Sequence, residues 1–166
     1  MFRRLHSQSS QSGFALIEIL AAIVMINVGI LAILLVLNSG MVTLRRTAER
    51  STAAAVADKQ MEQFRAIPYS SIFLDTTSLG TTDATYQADS AYSASQVNQV
   101  CSPLVAACTP SQTVTGPDSR SYRVDTFVVW TTPAGGDPVK SVTVVVRKPG
   151  APATLARVAS IFGTNF

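Results

Sequence analysis

From Phe14 to Leu37 the chain is apolar except for one carboxylate, Glu18, and one strongly polar amide, Asn27. As a helix rising ~1.5 Å per residue this run covers roughly 36 Å, more than the ~30 Å hydrocarbon core of a bilayer. It reads as a single membrane span. A charged side chain in that setting costs about 2.5 to 3.5 kcal/mol even on the lenient insertion scale, so Glu18 marks a functional position by default. Its cheapest partner is a cation.

The residues before the run, Met1 to Gly13, are short, polar and basic, with Arg3 and Arg4 and no acid. Positive charge directly before an apolar segment holds that end in the cytoplasm and places everything after Leu37 outside. Arg45, Arg46 and Arg50 on the far side are a counter-signal, but Glu49 lies among them and a large polar region follows. A secretory signal would have a shorter apolar core and a small-x-small cleavage site at its end, whereas Asn38-Ser39-Gly40-Met41 follows here. Arg3-Arg4 lacks the flanking pattern of a twin-arginine signal. Either the chain is cut before the apolar run or it is not cut.

Ser12-Gly13-Phe14-Ala15-Leu16-Ile17-Glu18-Ile19-Leu20-Ala21-Ala22-Ile23 resembles the class III signal of type IV pilins and type II secretion pseudopilins. The likeness covers roughly residues 10 to 37, with charge, glycine, Phe and Glu in register. It implies a leader over residues 1–13, cleavage after Gly13 by a membrane-embedded prepilin peptidase, N-methylation of Phe14, and retention of the apolar helix for filament assembly. Glu18 becomes the fifth residue of the mature chain. In the family this acid is thought to neutralise the terminal amine of a neighbouring subunit. An ion pair with its own amine, or an acid snorkelling to the interface, is the alternative. The new amine at Phe14 would lie one helical turn from Glu18, on the same face, and a carboxylate in the first turn complements the helix dipole by about 0.3 to 1 kcal/mol. The proline that family members often carry in the membrane half is missing before Pro68, which leaves Asn27-Val28-Gly29 as the local weak point.

Helical character continues over residues 38–67. Ala53, Ala57, Met61, Phe64 and Ile67, with Val56 beside them, recur at three- and four-residue spacing and make one apolar stripe suited to covering a globular head. A helix from Phe14 to Ala66 would be about 80 Å long. Residues 68–119, rich in Ser, Thr, Ala and Asp, read as a long and largely irregular connection with room for one short strand or turn. Cys101 and Cys108 lie in it. In a segment placed outside the cell the two are expected to be bonded, closing an eight-residue loop for roughly 2.5 kcal/mol, with reduced thiols as the alternative.

At Arg120 the period changes. Tyr122, Val124, Thr126, Val128 and Trp130 alternate with Arg123, Asp125, Phe127, Val129 and Thr131, which predicts a strand with one better buried face. Thr132 to Pro138 is a turn by its Gly and Pro content, Val139 to Arg147 a second strand, and Leu155 to Phe162 a third. Short links between consecutive strands predict an antiparallel sheet over residues 120–166. The expected fold class is α+β: a long N-terminal helix, half membrane-embedded and half amphipathic, packed on a small antiparallel sheet, which is also the layout of a pilin head.

Chemistry-bearing residues are sparse. The sole histidine, His6, falls in the leader, and Asp75, Asp83, Asp89, Asp118 and Asp125 show no paired spacing and read as solvated loop acids. No phosphate-binding glycine loop joins a strand to a helix, and ligands for a metal beside the cysteines are missing. No catalytic residue, cofactor or metal is expected. Loss of the leader removes 2 of the 13 basic residues and leaves 11 against 10 acids, lowering the net charge from +3 to +1. The expected partners are the prepilin peptidase, other pilin or pseudopilin subunits, the assembly platform in the inner or cytoplasmic membrane, and the lipid bilayer. DNA would join them only in an uptake system. The rival reading is a single-span protein whose outer domain works alone as a binding or adhesion module. An anchored hydrolase is weaker for want of catalytic groups.

Overall fold

The computed structural model describes residues 12–134 and 136–164, with side chains from Ala15 onward. The expected leader up to Gln11, and the side chain of Phe14, lie outside the described residues. The chain forms two units, Met1–Arg46 and Thr47–Phe166.

Helix α1 runs over Ser12–Arg65. In the first unit it is long and apolar enough to cross a membrane. Leu16 is 68% exposed, and the large apolar side chains that follow it as far as Leu44 are exposed as well. Such a surface is stable only among lipid or other apolar helices. The expected weak point at Asn27-Val28-Gly29 is regular helix. The Asn27 amide donates to the Ile23 carbonyl at 2.8 Å, so its polar group is satisfied within the helix.

In the second unit α1 becomes one-sided. Ala53, Val56, Ala57, Met61 and Phe64 are buried, as the stripe predicts, and Ile67 packs at the margin of the same cluster. They cover one face of a four-stranded antiparallel sheet in the order β3-β4-β5-β6, formed by Ser111–Thr115, Ser121–Thr131, Val139–Arg147 and Thr154–Phe162. Tyr122, Val124 and Val128 of β4 and Val142, Val144 and Val146 of β5 complete this core. Each large side chain fully buried here contributes about 1.5 to 3 kcal/mol.

Three strands were expected in this sheet and four are present. β3 was part of the presumed irregular connection. Its sequence Ser-Gln-Thr-Val-Thr holds one apolar residue because it is an edge strand, half-exposed on both faces. The turn into β4 depends on glycine: a Cβ at Gly116 would lie 2.7 Å from the Tyr122 ring and 2.9 Å from an Asp118 carboxylate oxygen.

The rest of residues 68–119 is also more ordered than expected. It contains β1 (Leu74–Asp75), α2 (Thr76–Gly80), α3 (Ala84–Gln87) and β2 (Asn98–Gln99), with β1 and β2 paired in parallel. Asp75 and Asp83 are helix N-caps, accepting from the backbone N–H of Ser78 and of Tyr86. Part of this segment covers the second face of the sheet, where Tyr86 stacks on Phe127 with centroids 4.4 Å apart and Val145 completes a small second core. The even-numbered face of β4 and β5 is the better buried one, as predicted, and this segment adds partial burial of the other face, at Asp125, Phe127, Val145 and Arg147.

Candidate functional site

Gly13, Phe14 and Glu18 lie on one unbroken helix. Helical geometry sets Phe14 and Glu18 one turn apart, with the Glu18 N–H directed at the Phe14 carbonyl. Glu18 is exposed and is the only charged residue between Ala15 and Leu44. The arrangement offers one carboxylate, on an otherwise uncharged surface, close to the bond where cleavage would create an amine.

The cysteine pair is bonded. Cys101 and Cys108 form a disulfide with Cα atoms 6.6 Å apart. The loop it closes is tied down from three directions. An Asp75 carboxylate oxygen accepts from the Cys101 N–H at 3.0 Å, and the Ala106 carbonyl accepts from Gln60 of α1 at 3.0 Å and from Gln112 of β3 at 3.2 Å. Leu104 and Val105 of this loop are exposed, as is Val100 just before it.

The acids read as scattered and solvated are, in three cases, parts of one cluster. On the second face of the sheet Asp83, Arg123, Asp125, Arg147, Asp89 and Arg157 form a chain of alternating charge. Arg123 holds Asp83 with contacts of 2.5 and 2.7 Å and reaches Asp125 at 2.8 Å. Arg147 pairs with both Asp125 and Asp89, and Arg157 reaches Asp89 at 2.8 Å. Asp125 is 0% exposed and Arg147 3%; Ser111 supplies Asp125 with a further hydrogen bond at 2.7 Å. The Arg123 contact and the Tyr86 N–H depress the Asp83 carboxyl to about 2. At Asp89 burial opposes ionisation, but the Ala91 N–H and Arg157 prevail and hold its carboxyl below the ordinary range.

This cluster has three acids and three guanidinium groups. Every carboxylate in it is matched by arginine, which suits a clasp and leaves no acid or base poised to transfer a proton. Sequence reasoning missed it, although a signal existed. Arg123, Asp125, Arg147 and Arg157 are all at odd positions of strands whose even positions form the core, and so share the opposite face.

Among the described residues no group of three His, Cys, Asp or Glu side chains could hold a metal ion. A groove of about 480 Å³ lies between α1 and β3 and is lined by Val56, Lys59, Gln60, Gln63, Gln112 and Val114 among others. No family model, no curated protein and no solved structure matches this chain.

Proposed function

We propose that the chain is a structural subunit, a minor pilin or pseudopilin, of a type IV pilus-like filament. On this reading prepilin peptidase cuts after Gly13, Phe14 is N-methylated, and the apolar part of α1 then packs among the helices of other subunits. The observation that carries it is the placement of Glu18: a lone exposed carboxylate, one turn after the Gly13-Phe14 junction, on a helix that is apolar all round as far as Leu44. The α+β head, with an amphipathic helix on an antiparallel sheet, supports the same reading, since that is the layout a pilin head requires.

The order of events gives the acid its role. Cleavage removes the basic leader and creates a cationic amine at the helix start. Two opposite charges in a low-dielectric, helix-packed setting attract far more strongly than in water. A carboxylate that stays unpaired opposes burial among apolar tails, whereas one that meets an amine permits it. The outer part of the chain lies beyond the membrane, in the compartment where the disulfide persists.

Mass spectrometry of the membrane form, from cells with and without active prepilin peptidase, tests the reading. The expected mature terminus is methylated Phe14. A chain that still begins at Met1 when the peptidase is active overturns it. Glu18→Ala then separates a filament subunit from a lone anchored module. The subunit reading expects normal insertion and loss of incorporation into filaments.

A further inference from the structure

Arg45 and Arg46 close the first unit, eight residues after the apolar run ends at Leu37. After the polar Asn38-Ser39-Gly40, Met41, Val42 and Leu44 are again exposed apolar residues, Leu44 to 71%, so apolar surface resumes up to the arginines. Both guanidinium groups are exposed, and among the described residues neither makes an ion pair. The sequence offers Glu49 as their counter-charge at helical spacing. Its carboxylate is engaged elsewhere in the second unit, with Arg120 at 2.5 Å and Lys148 at 2.7 Å. Two adjacent cations thus remain uncompensated where the membrane span ends.

Length fixes what they meet. From Ala15 to Arg45 the helix advances about 45 Å, at ~1.5 Å per residue. A bilayer including both headgroup layers measures about 40 to 45 Å. A span that starts in the cytoplasmic headgroups therefore delivers Arg45 and Arg46 to the outer headgroup layer, and arginine stems reach back along the helix to place their charge at phosphate depth.

We infer that Arg45 and Arg46 form a lipid-binding collar that holds anionic phospholipid headgroups of the outer leaflet. The inference rests on the reading of α1 as a membrane span and adds a partner and a depth to it. Guanidinium groups pair bidentately with phosphate oxygens, and two adjacent ones favour a lipid with net negative charge over a zwitterionic one. The collar explains why arginines tolerate the side of the span where positive charge opposes topology. Extraction of the subunit from the bilayer must break these contacts.

The test uses the full chain reconstituted in phosphatidylcholine vesicles with trace spin-labelled phosphatidylglycerol or spin-labelled phosphatidylcholine. The expected result is a motionally restricted fraction that favours phosphatidylglycerol, by about fivefold for each arginine at low salt. The preference should shrink as salt rises and vanish in Arg45→Gln/Arg46→Gln, while Arg65→Gln keeps it. Equal restriction of both lipids around the unsubstituted chain overturns the inference, and so does a preference that survives the double substitution. Carbonate washing separates the two levels: a chain stripped from the vesicles overturns the span itself, whereas one that stays integral without a lipid preference overturns only the collar. Binding of duplex DNA by the detergent-solubilised chain, lost on double substitution and unaccompanied by lipid preference, assigns the arginines to nucleic acid and likewise overturns it.

Discussion

Arg123 and Arg147 face each other directly across β4 and β5, two like charges in register on neighbouring strands. Such a pair is destabilising by itself. Asp125 reconciles them. Two residues along β4 from Arg123, it accepts from the Arg123 Nε at 2.8 Å with one oxygen and pairs with Arg147 through the other. Further donors go to Asp83 and Asp89, on the segment that covers this face, and the Arg147 Nε donates to the Pro152 carbonyl at 3.1 Å. The acids thereby fasten residues 83–89 to the sheet.

Removing the central acid should be severe. Asp125→Ala leaves two buried or half-buried guanidinium groups facing one another with their shared partner gone. The expected loss is about 3 to 5 kcal/mol. Thermal melting of the full chain in detergent, followed by far-UV circular dichroism, reads it. A melting temperature within about 2 °C of the unsubstituted chain would mean that water or rearrangement replaces Asp125.

Acid should loosen the clasp in a defined direction. The Arg123 guanidinium and the Tyr86 N–H hold the Asp83 carboxyl at about 2 in the folded chain, below the ordinary 3.8. A folded-state pKa below the unfolded one gives stability that is complete above about pH 4 and lost as pH falls through about 2. Glu49, lowered chiefly by its hydrogen bond to Lys148, and Asp89 act in the same sense. Melting temperature should be level from pH 7 to about pH 5 and fall steeply below pH 4. Asp83→Asn should flatten part of that slope. A decline centred near pH 6 would contradict the assignment.

The helix separates two kinds of apolar residue, and substitution should tell them apart. Phe64 is fully buried against the sheet, whereas Leu34 is exposed in the first unit. Phe64→Ala should destabilise the head by about 3 to 5 kcal/mol. Leu34→Ala should leave head melting unchanged and act only on membrane or filament contacts. Tryptophan fluorescence on heating reports the head alone, since Trp130 is the one tryptophan and lies in β4.

The parts of this fold that were legible are those with a period. Ala53, Ala57, Met61 and Phe64 announce a helix face, and Val142, Val144 and Val146 a strand face, because one side of each element meets the core. β3 has no such signature, since an edge strand of Ser, Gln and Thr looks like a loop until a neighbour pairs with it. The caps at Asp75 and Asp83 were readable in principle, since Asp is a favoured N-cap residue. Asp89 was not. Its burial depends on arginines 58 to 68 residues away in sequence, and a single chain does not display which strands will be adjacent. Glu18 was legible for the opposite reason, as its local surroundings suffice to mark it.

Reducing the disulfide should cost about 2.5 kcal/mol in the chain-entropy account, which for a domain of this size is about a 10 °C fall in melting temperature. Gln60 and Gln112 continue to hold the Ala106 carbonyl after reduction, so the loop should stay seated and the head should remain folded at room temperature. Melting with and without dithiothreitol, and of Cys101→Ser/Cys108→Ser, checks this. Loss of the β-sheet spectrum on reduction would show that the bond holds the fold itself and not merely the loop.

Glu18→Gln isolates charge from shape. Glutamine keeps the length and a hydrogen-bonding carbonyl but cannot neutralise an amine. If the acid serves as the counter-charge to the terminus created after Gly13, the variant should insert into the membrane and be cleaved as usual, because hydrophobicity rises and Gly13 and Phe14 are untouched. Its incorporation into filaments should fall by tenfold or more, since an unpaired charge in an apolar bundle costs well above the 1.4 kcal/mol that a factor of ten represents. Glu18→Asp should recover part of the loss by restoring the charge on a shorter stem. Quantitative blotting of sheared filaments against membrane fractions measures all three chains. Equal incorporation of Glu18→Gln and the unsubstituted chain would show that the carboxylate acts through its shape or hydrogen bonding, and the amine would then need a different partner.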